Sequence, residues 1–196
     1  MDNFSVFPEL KIAASKPVSD RFMELGIDTF TGACRFVRDL PYGYNSDRDD
    51  LMILFREKFG TCSTKHAVIA TLAMELDLPI HRAMGIYAMT EAIVAGAGRI
   101  LADYGLPYVP MIHCFLVYGE YRVDLTEGNR NGKKCAIDTF LYTEKVDPTI
   151  LAKDEYLLYR KALKDAVMRR SELAGAAMKD ILHAREEGLA LLKANL

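Results

Sequence analysis

Gly60-Thr61-Cys62-Ser63-Thr64-Lys65-His66-Ala67 runs without a break into Val68-Ile69-Ala70-Thr71-Leu72-Ala73-Met74-Glu75-Leu76, and this join decides how the chain is read. Ala, Leu and Met dominate the second stretch, so a long buried helix is expected to begin close to Cys62. Pro79 closes it. A helix start presents N–H groups without intrahelical partners and a partial positive charge. Both favour a thiolate, and cysteines at helix starts can have strongly lowered pKa values. The same N–H groups can receive an oxyanion, so one location serves both nucleophile and transition state. Gly60 is read as the residue of a strained turn leading into the helix. The plain alternative is a core thiol in a first turn.

Two neighbours of Cys62 compete for attention. His66 lies one turn further on, roughly on the same face, a spacing that suits a Cys/His pair or two metal ligands. It is already inside the helix, below the mouth of any site. Lys65 is read as solvated or salt-bridged.

Upstream, Ser19–Gly26 reads as a short helix with Ser19 as its cap, and Thr29–Leu40 as a second, burying Phe30, Ala33, Cys34 and Val37. Pro41–Ser46 is a loop. A helix is expected from about Asp49 until Gly60 stops it. Downstream, Ile80–Met89 reads as a strand, Glu91–Tyr104 as a helix ended by Gly105, and Cys135–Tyr142 as a further strand. From Pro148 the chain reads as one bent helix or two, with Leu158, Ala162, Ala166, Leu173, Ala177, Ile181 and Leu192 along one stripe. Helices first and strands later argue for an α+β fold. The expected organisation is a core over residues 1–147 and a helical extension over 148–196.

Between these lie Ile112–Tyr118 and Tyr121–Leu125, strands at hairpin spacing. With Tyr118-Gly119 as a two-residue loop, His113 falls opposite Asp124. Opposed residues on antiparallel strands share a face, and a carboxylate there can fix an imidazole's tautomer and stabilise its protonated form. Alternation sends Cys114 to the other face, which removes it as a rival nucleophile.

These three motifs together resemble the transglutaminase-like superfamily: Gly60–Ala67 around the cysteine, Pro110-Met111-Ile112-His113, and Tyr121-Arg122-Val123-Asp124-Leu125-Thr126. The resemblance spans about Leu40 to Leu125 and keeps the order Cys, His, Asp. It implies a papain-like core, with the nucleophile at a helix start packed on a small antiparallel sheet and C-terminal helices added. It assigns the nucleophile to Cys62, the base to His113 and the orienting acid to Asp124. It implies acyl transfer or amide hydrolysis through a thioester on a peptide or other amide-bearing substrate, with no cofactor. The group includes proteases, deamidases, amidases, cross-linking enzymes and inactive members, and fold does not choose among them. The tryptophan often found near this site is missing, because the chain has none. A second oxyanion donor must come from elsewhere, and Asn45 and Tyr44 are the candidates.

Composition bounds the partners. The 196 residues, 51% of them hydrophobic, suffice for a real core. A net charge of −2 gives no chain-wide basic field, which disfavours nucleic acid. No signal peptide and no membrane-length apolar run is read, so a cytoplasmic protein is expected. The four cysteines have no C-x-x-C pair, so no metal site is expected. Asn45-Ser46-Asp47-Arg48-Asp49-Asp50 mimics half of a calcium loop, but Asp50 replaces the turn glycine and Arg56 falls where the bidentate glutamate belongs. A metal site of Cys62, His66 and His113 is a further rival. The main functional alternative is a protein-interaction module that keeps this fold without catalysis. In either reading the C-terminal helices are open to three roles: a packing layer, a substrate wall or a surface for a second copy.

Overall fold

The computed structural model describes residues 4–13 and 15–196. Its elements run α1 (Pro17–Glu24), α2 (Phe30–Asp39), α3 (Ile53–Glu57), α4 (Cys62–Glu75), β1 (Ile80–Met89), α5 (Ala97–Tyr104), β2 (Val109–Tyr118), β3 (Tyr121–Val123), β4 (Tyr142–Lys145), α6 (Ala152–Asp165) and α7 (Met178–Ala194). Two 3-10 turns, Val167–Arg169 and Ser171–Leu173, separate the last two helices. The strands form one small antiparallel sheet ordered β3-β2-β1-β4, so the chain is α+β. No helix among the described residues is long and apolar enough to cross a membrane. The chain divides into two units, one of Met1–Met84, Cys114–Asn129 and Lys145–Leu151, the other of Gly85–His113, Arg130–Glu144 and Ala152–Leu196.

The first unit is organised around α4. Every residue of this helix except Met74 is buried, so it has no polar face and lies within the core. Phe22 and Val18 of α1, Phe30 and Val37 of α2, Leu54 of α3, and Leu116, Val123 and Leu125 from the hairpin share one apolar cluster with its Val68, Ile69 and Leu72. The far end of α4 holds α1 through Glu75. That carboxylate accepts from the backbone N–H groups of Val18 (3.1 Å) and Ser19 (2.7 Å) and from the Ser19 hydroxyl. An anion on a helix N-terminus satisfies orphan donors and the helix dipole together.

The second unit packs around Ile86, Tyr87 and Met89 of β1, Val109 and Met111 of β2, and Tyr159, Leu163, Ile181, Ala184 and Leu192 of the C-terminal helices. Tyr159 donates its hydroxyl to the Pro110 carbonyl at 2.8 Å. Gly188 allows α7 its close approach, because a Cβ there would lie 2.7 Å from Met89 Cε and 3.4 Å from Met111 Sδ.

Several elements differ from the sequence reading, each for a local reason. Ser19 does not cap α1: Lys16 holds the cap position, Pro17 opens the helix, and Ser19 lies inside it on Glu75. The third helix begins only at Ile53, because Asp47 and Asp50 each accept from the backbone N–H two residues on, holding turns before it. Glu91 lies outside α5 and caps it, accepting from Gly96 N (3.2 Å) and Gly98 N (2.9 Å). These donors and Lys134 hold its carboxyl down at about 2. The strand expected at Cys135–Tyr142 lies at Tyr142–Lys145 instead. On the C-terminal stripe Tyr159 is buried where Leu158 was expected, and Ala177 is exposed. The hairpin pairs Leu116 with Val123, Val117 with Arg122 and Tyr118 with Tyr121, so its loop is Gly119-Glu120. This register is two residues from the expected one. Continued past the end of β3, it sets Asp124 opposite Phe115 rather than His113.

Candidate active site

Cys62 is the first residue of α4, with Thr61 at the cap position making no side-chain cap. It is 8% exposed. Lys65 N, the first donor reaching back, takes the Thr61 carbonyl at 3.0 Å. The N–H of Cys62 lies above that ladder and is directed out of the helix.

Gly60 owes its place to space, not to an unusual φ, which is not among the positive ones. A Cβ there would lie 2.5 Å from Thr64 Oγ1 and 2.6 Å from Leu54 Cδ1. The bare backbone lets the Pro41–Gly43 segment run alongside: Gly60 N donates to Pro41 O (3.2 Å) and Gly43 N to Gly60 O (3.3 Å), with Tyr42 bridged to Gly60. Gly43 is equally confined, its notional Cβ 2.7 Å from the Phe59 ring. Side chains alternate along this extended segment. Tyr42 and Tyr44 accordingly meet edge to face, with centroids 6.2 Å apart.

The result is a pair of phenols beside the cysteine. The Tyr42 hydroxyl is hydrogen-bonded to both the backbone N–H and the side chain of Cys62. Burial, then the neighbouring Cys62 charge, pushes the Tyr42 phenol well above its ordinary range and Tyr44 up to about 12. Both are therefore neutral donors near pH 7.

Asn45 is not available as an oxyanion donor. Its Nδ2 donates to Glu57 Oε2 and to Phe59 O, each at 2.9 Å, and its Oδ1 accepts from Thr64 Oγ1 at 2.8 Å. With both amide hydrogens committed, it clamps the loop to α3 and α4.

His66 is also structural. It is fully buried; Nδ1 meets the Cys62 carbonyl at 2.7 Å and Nε2 accepts the Leu125 N–H at 2.8 Å. These partners require the proton on Nδ1 and leave neither nitrogen for a metal. Among the described residues no group of three or more His, Cys, Asp or Glu is placed to hold a metal ion. The ring ties the first turn of α4 to the residue after Asp124. Asp124 Oδ1 lies 3.5 Å from Nε2 and accepts from Thr126 N and Oγ1, each at 2.7 Å.

Lys65 is neither solvated nor ion-paired at the surface. It is fully buried, and its ammonium donates to the carbonyls of Arg38 (3.1 Å) and Leu40 and to Asn129 Oδ1 (2.7 Å). Burial lowers its pKa to about 8, against the opposing pull of Asp124 and Asp39. The contact to Leu40 O anchors the segment that carries Tyr42.

Cys114 packs against the first turn of α4, its Sγ 3.6 Å from Ser63 Oγ and 3.3 Å from Arg82 Nη2. It has no exposed surface, so enclosure is what removes it from chemistry. Burial likewise pushes the Cys34 thiol up, while Cys135 is exposed. His113 belongs to the second unit; it is 2% exposed and stands edge-on to Tyr87, with ring centroids 6.5 Å apart. Cys62 and Asp124 belong to the first.

The contact of Tyr42 with Cys62 and the burial of Lys65 were not legible in the sequence. The signal for Tyr42 was the Tyr-Gly-Tyr alternation, which puts two phenols on one side once the segment is extended. Comparison with protein families, with curated proteins and with solved structures gives no match.

Proposed function

We propose that the chain is a cysteine-dependent acyl-transfer or amide-hydrolysing enzyme with a transglutaminase-like, papain-related core. In this reading Cys62 is the nucleophile, His113 the general base and Asp124 the group that orients it. The observation that carries it is the position of Cys62: first residue of a buried 14-residue helix, its N–H and side chain both on the Tyr42 hydroxyl. A thiolate there gains from the helix start and from the phenol donor.

The reaction that follows is thioester chemistry. The Cys62 thiolate adds to an amide carbonyl, and the negative charge moves to the carbonyl oxygen. His113 carries the thiol proton to the leaving amine as the C–N bond breaks. Water or a second amine then attacks the thioester, giving an acid or a new amide and returning the thiol. No step calls for a metal or a redox partner.

The test is a panel of peptide and simple amides, with released amine as the readout, run on the wild type and on Cys62→Ala, His113→Ala and Asp124→Asn. Turnover lost in Cys62→Ala and lowered by orders of magnitude in the other two is expected. Turnover that survives Cys62→Ala overturns the reading. Binding of a protein partner, with no amide consumed, would favour the interaction module.

A further inference from the structure

The oxyanion of the proposed reaction needs two donors, and the Cys62 N–H at the start of α4 is one of them. The loop residues that the sequence offers as the second donor divide sharply. Asn45 has both amide hydrogens on Glu57 and Phe59. Tyr44 feels Cys62 through charge. Tyr42, which the sequence did not offer, has its hydroxyl hydrogen-bonded to the backbone and side chain of Cys62.

We infer that Tyr42 is a catalytic residue, the second donor to the oxyanion formed when Cys62 attacks its substrate. The inference rests on Cys62 being the nucleophile. In the resting site the Tyr42 hydroxyl is hydrogen-bonded to the backbone N–H and to the side chain of Cys62. It therefore occupies the position where a carbonyl oxygen would approach that N–H. As the C–S bond forms, the charge leaves sulfur for the carbonyl oxygen. The carbonyl oxygen displaces the phenol oxygen from the Cys62 N–H, and the phenol, swinging aside about its side-chain torsions, turns its O–H from sulfur to that oxygen. No proton is transferred to or from Tyr42, and none is needed.

Two features suit the residue to this task. The phenol keeps its proton far above neutral pH, because burial and the adjacent cysteine oppose phenolate. It is also held at its backbone: Gly60 pairs on both sides of it, and Lys65 fixes the preceding Leu40 carbonyl. The fixed backbone confines that movement to the side-chain torsions of Tyr42 and keeps the hydroxyl beside Cys62.

The experiment uses the full chain with Tyr42→Phe, which keeps the ring and removes the donor. On an amide turned over by the wild type and not by Cys62→Ala, kcat is expected to fall about 100-fold with KM changed less than about threefold. Independently of any substrate, the pH midpoint for iodoacetamide labelling of Cys62 should rise, with labelling at pH 7 slowed about tenfold. If Tyr42→Phe does not fold, Tyr42→Gln and Tyr42→Leu carry the comparison, with the amide donor expected to be at least tenfold the more active. Wild-type kcat and an unmoved labelling midpoint in Tyr42→Phe, or equal activity of the Gln and Leu variants, overturn the inference while leaving Cys62 as nucleophile. Amide turnover that persists in Cys62→Ala overturns both.

Discussion

Lys65 offers the most quantitative prediction. An ammonium without solvent exposure, on two carbonyls and one amide oxygen, has a pKa near 8 instead of the ordinary 10.5. The unfolded chain therefore binds more protons than the folded one between those values, and stability rises with pH across that window. The full interval corresponds to about 3 kcal/mol, at about 1.4 kcal/mol per tenfold change. From pH 7.5 to 9.5 about 2 kcal/mol of it should be expressed. The perturbation is Lys65→Met, which keeps the stem and removes the titrating group. Urea unfolding of both proteins at pH 7.5, 8.5 and 9.5, under reducing conditions, gives the assay. Cys34, whose thiol is pushed up by burial, contributes an opposite slope, but it is common to both proteins and cancels in their difference. The stability of wild type minus variant should climb by about 2 kcal/mol over this range. A flat or falling difference would refute the assignment of Lys65 as a buried, strained cation.

Gly60→Ala should cost about 1–3 kcal/mol in urea unfolding, because its Cβ would meet Leu54 Cδ1 at 2.6 Å; an unchanged midpoint would contradict the close approach. Glu75→Gln should cost about 2–3 kcal/mol and expose α1 amides to hydrogen exchange first, since the carboxylate serves Val18 and Ser19 together. Uniform exchange across the first unit would speak against that anchor. Limited iodoacetamide labelling near pH 7 should mark Cys62 ahead of the exposed Cys135, with buried Cys34 and Cys114 silent until unfolding. Faster labelling of Cys135 would mean that Cys62 is not activated.

Where local physics decided an element, it was readable. Ile80–Met89 and the start of α4 follow from apolar runs bounded by Pro79 and Gly60, and Thr29 caps α2 through Gly32 N at 3.2 Å. Tertiary partners overrode the rest. Glu91 reads as a helix residue until Gly96 and Gly98 are seen to need its oxygens. The polar Tyr142-Thr143-Glu144-Lys145 becomes a strand at the sheet edge, while the preceding, more apolar stretch does not. The hairpin loop was decipherable: Gly119 has φ +57, and a two-residue turn of the II′ kind wants its glycine first, which selects Gly119-Glu120 over Tyr118-Gly119. The helix start at Cys62 was legible. The donors around it were not, because they depend on the Pro41–Gly43 segment pairing with Gly60 across the intervening α3.

The most direct test of the central claim is to trap the acyl-enzyme. The chain is mixed with an activated ester such as p-nitrophenyl acetate, quenched in acid within seconds, and its peptides are mapped by mass spectrometry. One acetyl thioester is expected, on Cys62, absent from Cys62→Ser and slow to form in His113→Ala. An adduct on Cys135, or equal acylation of native and denatured chains, would contradict it.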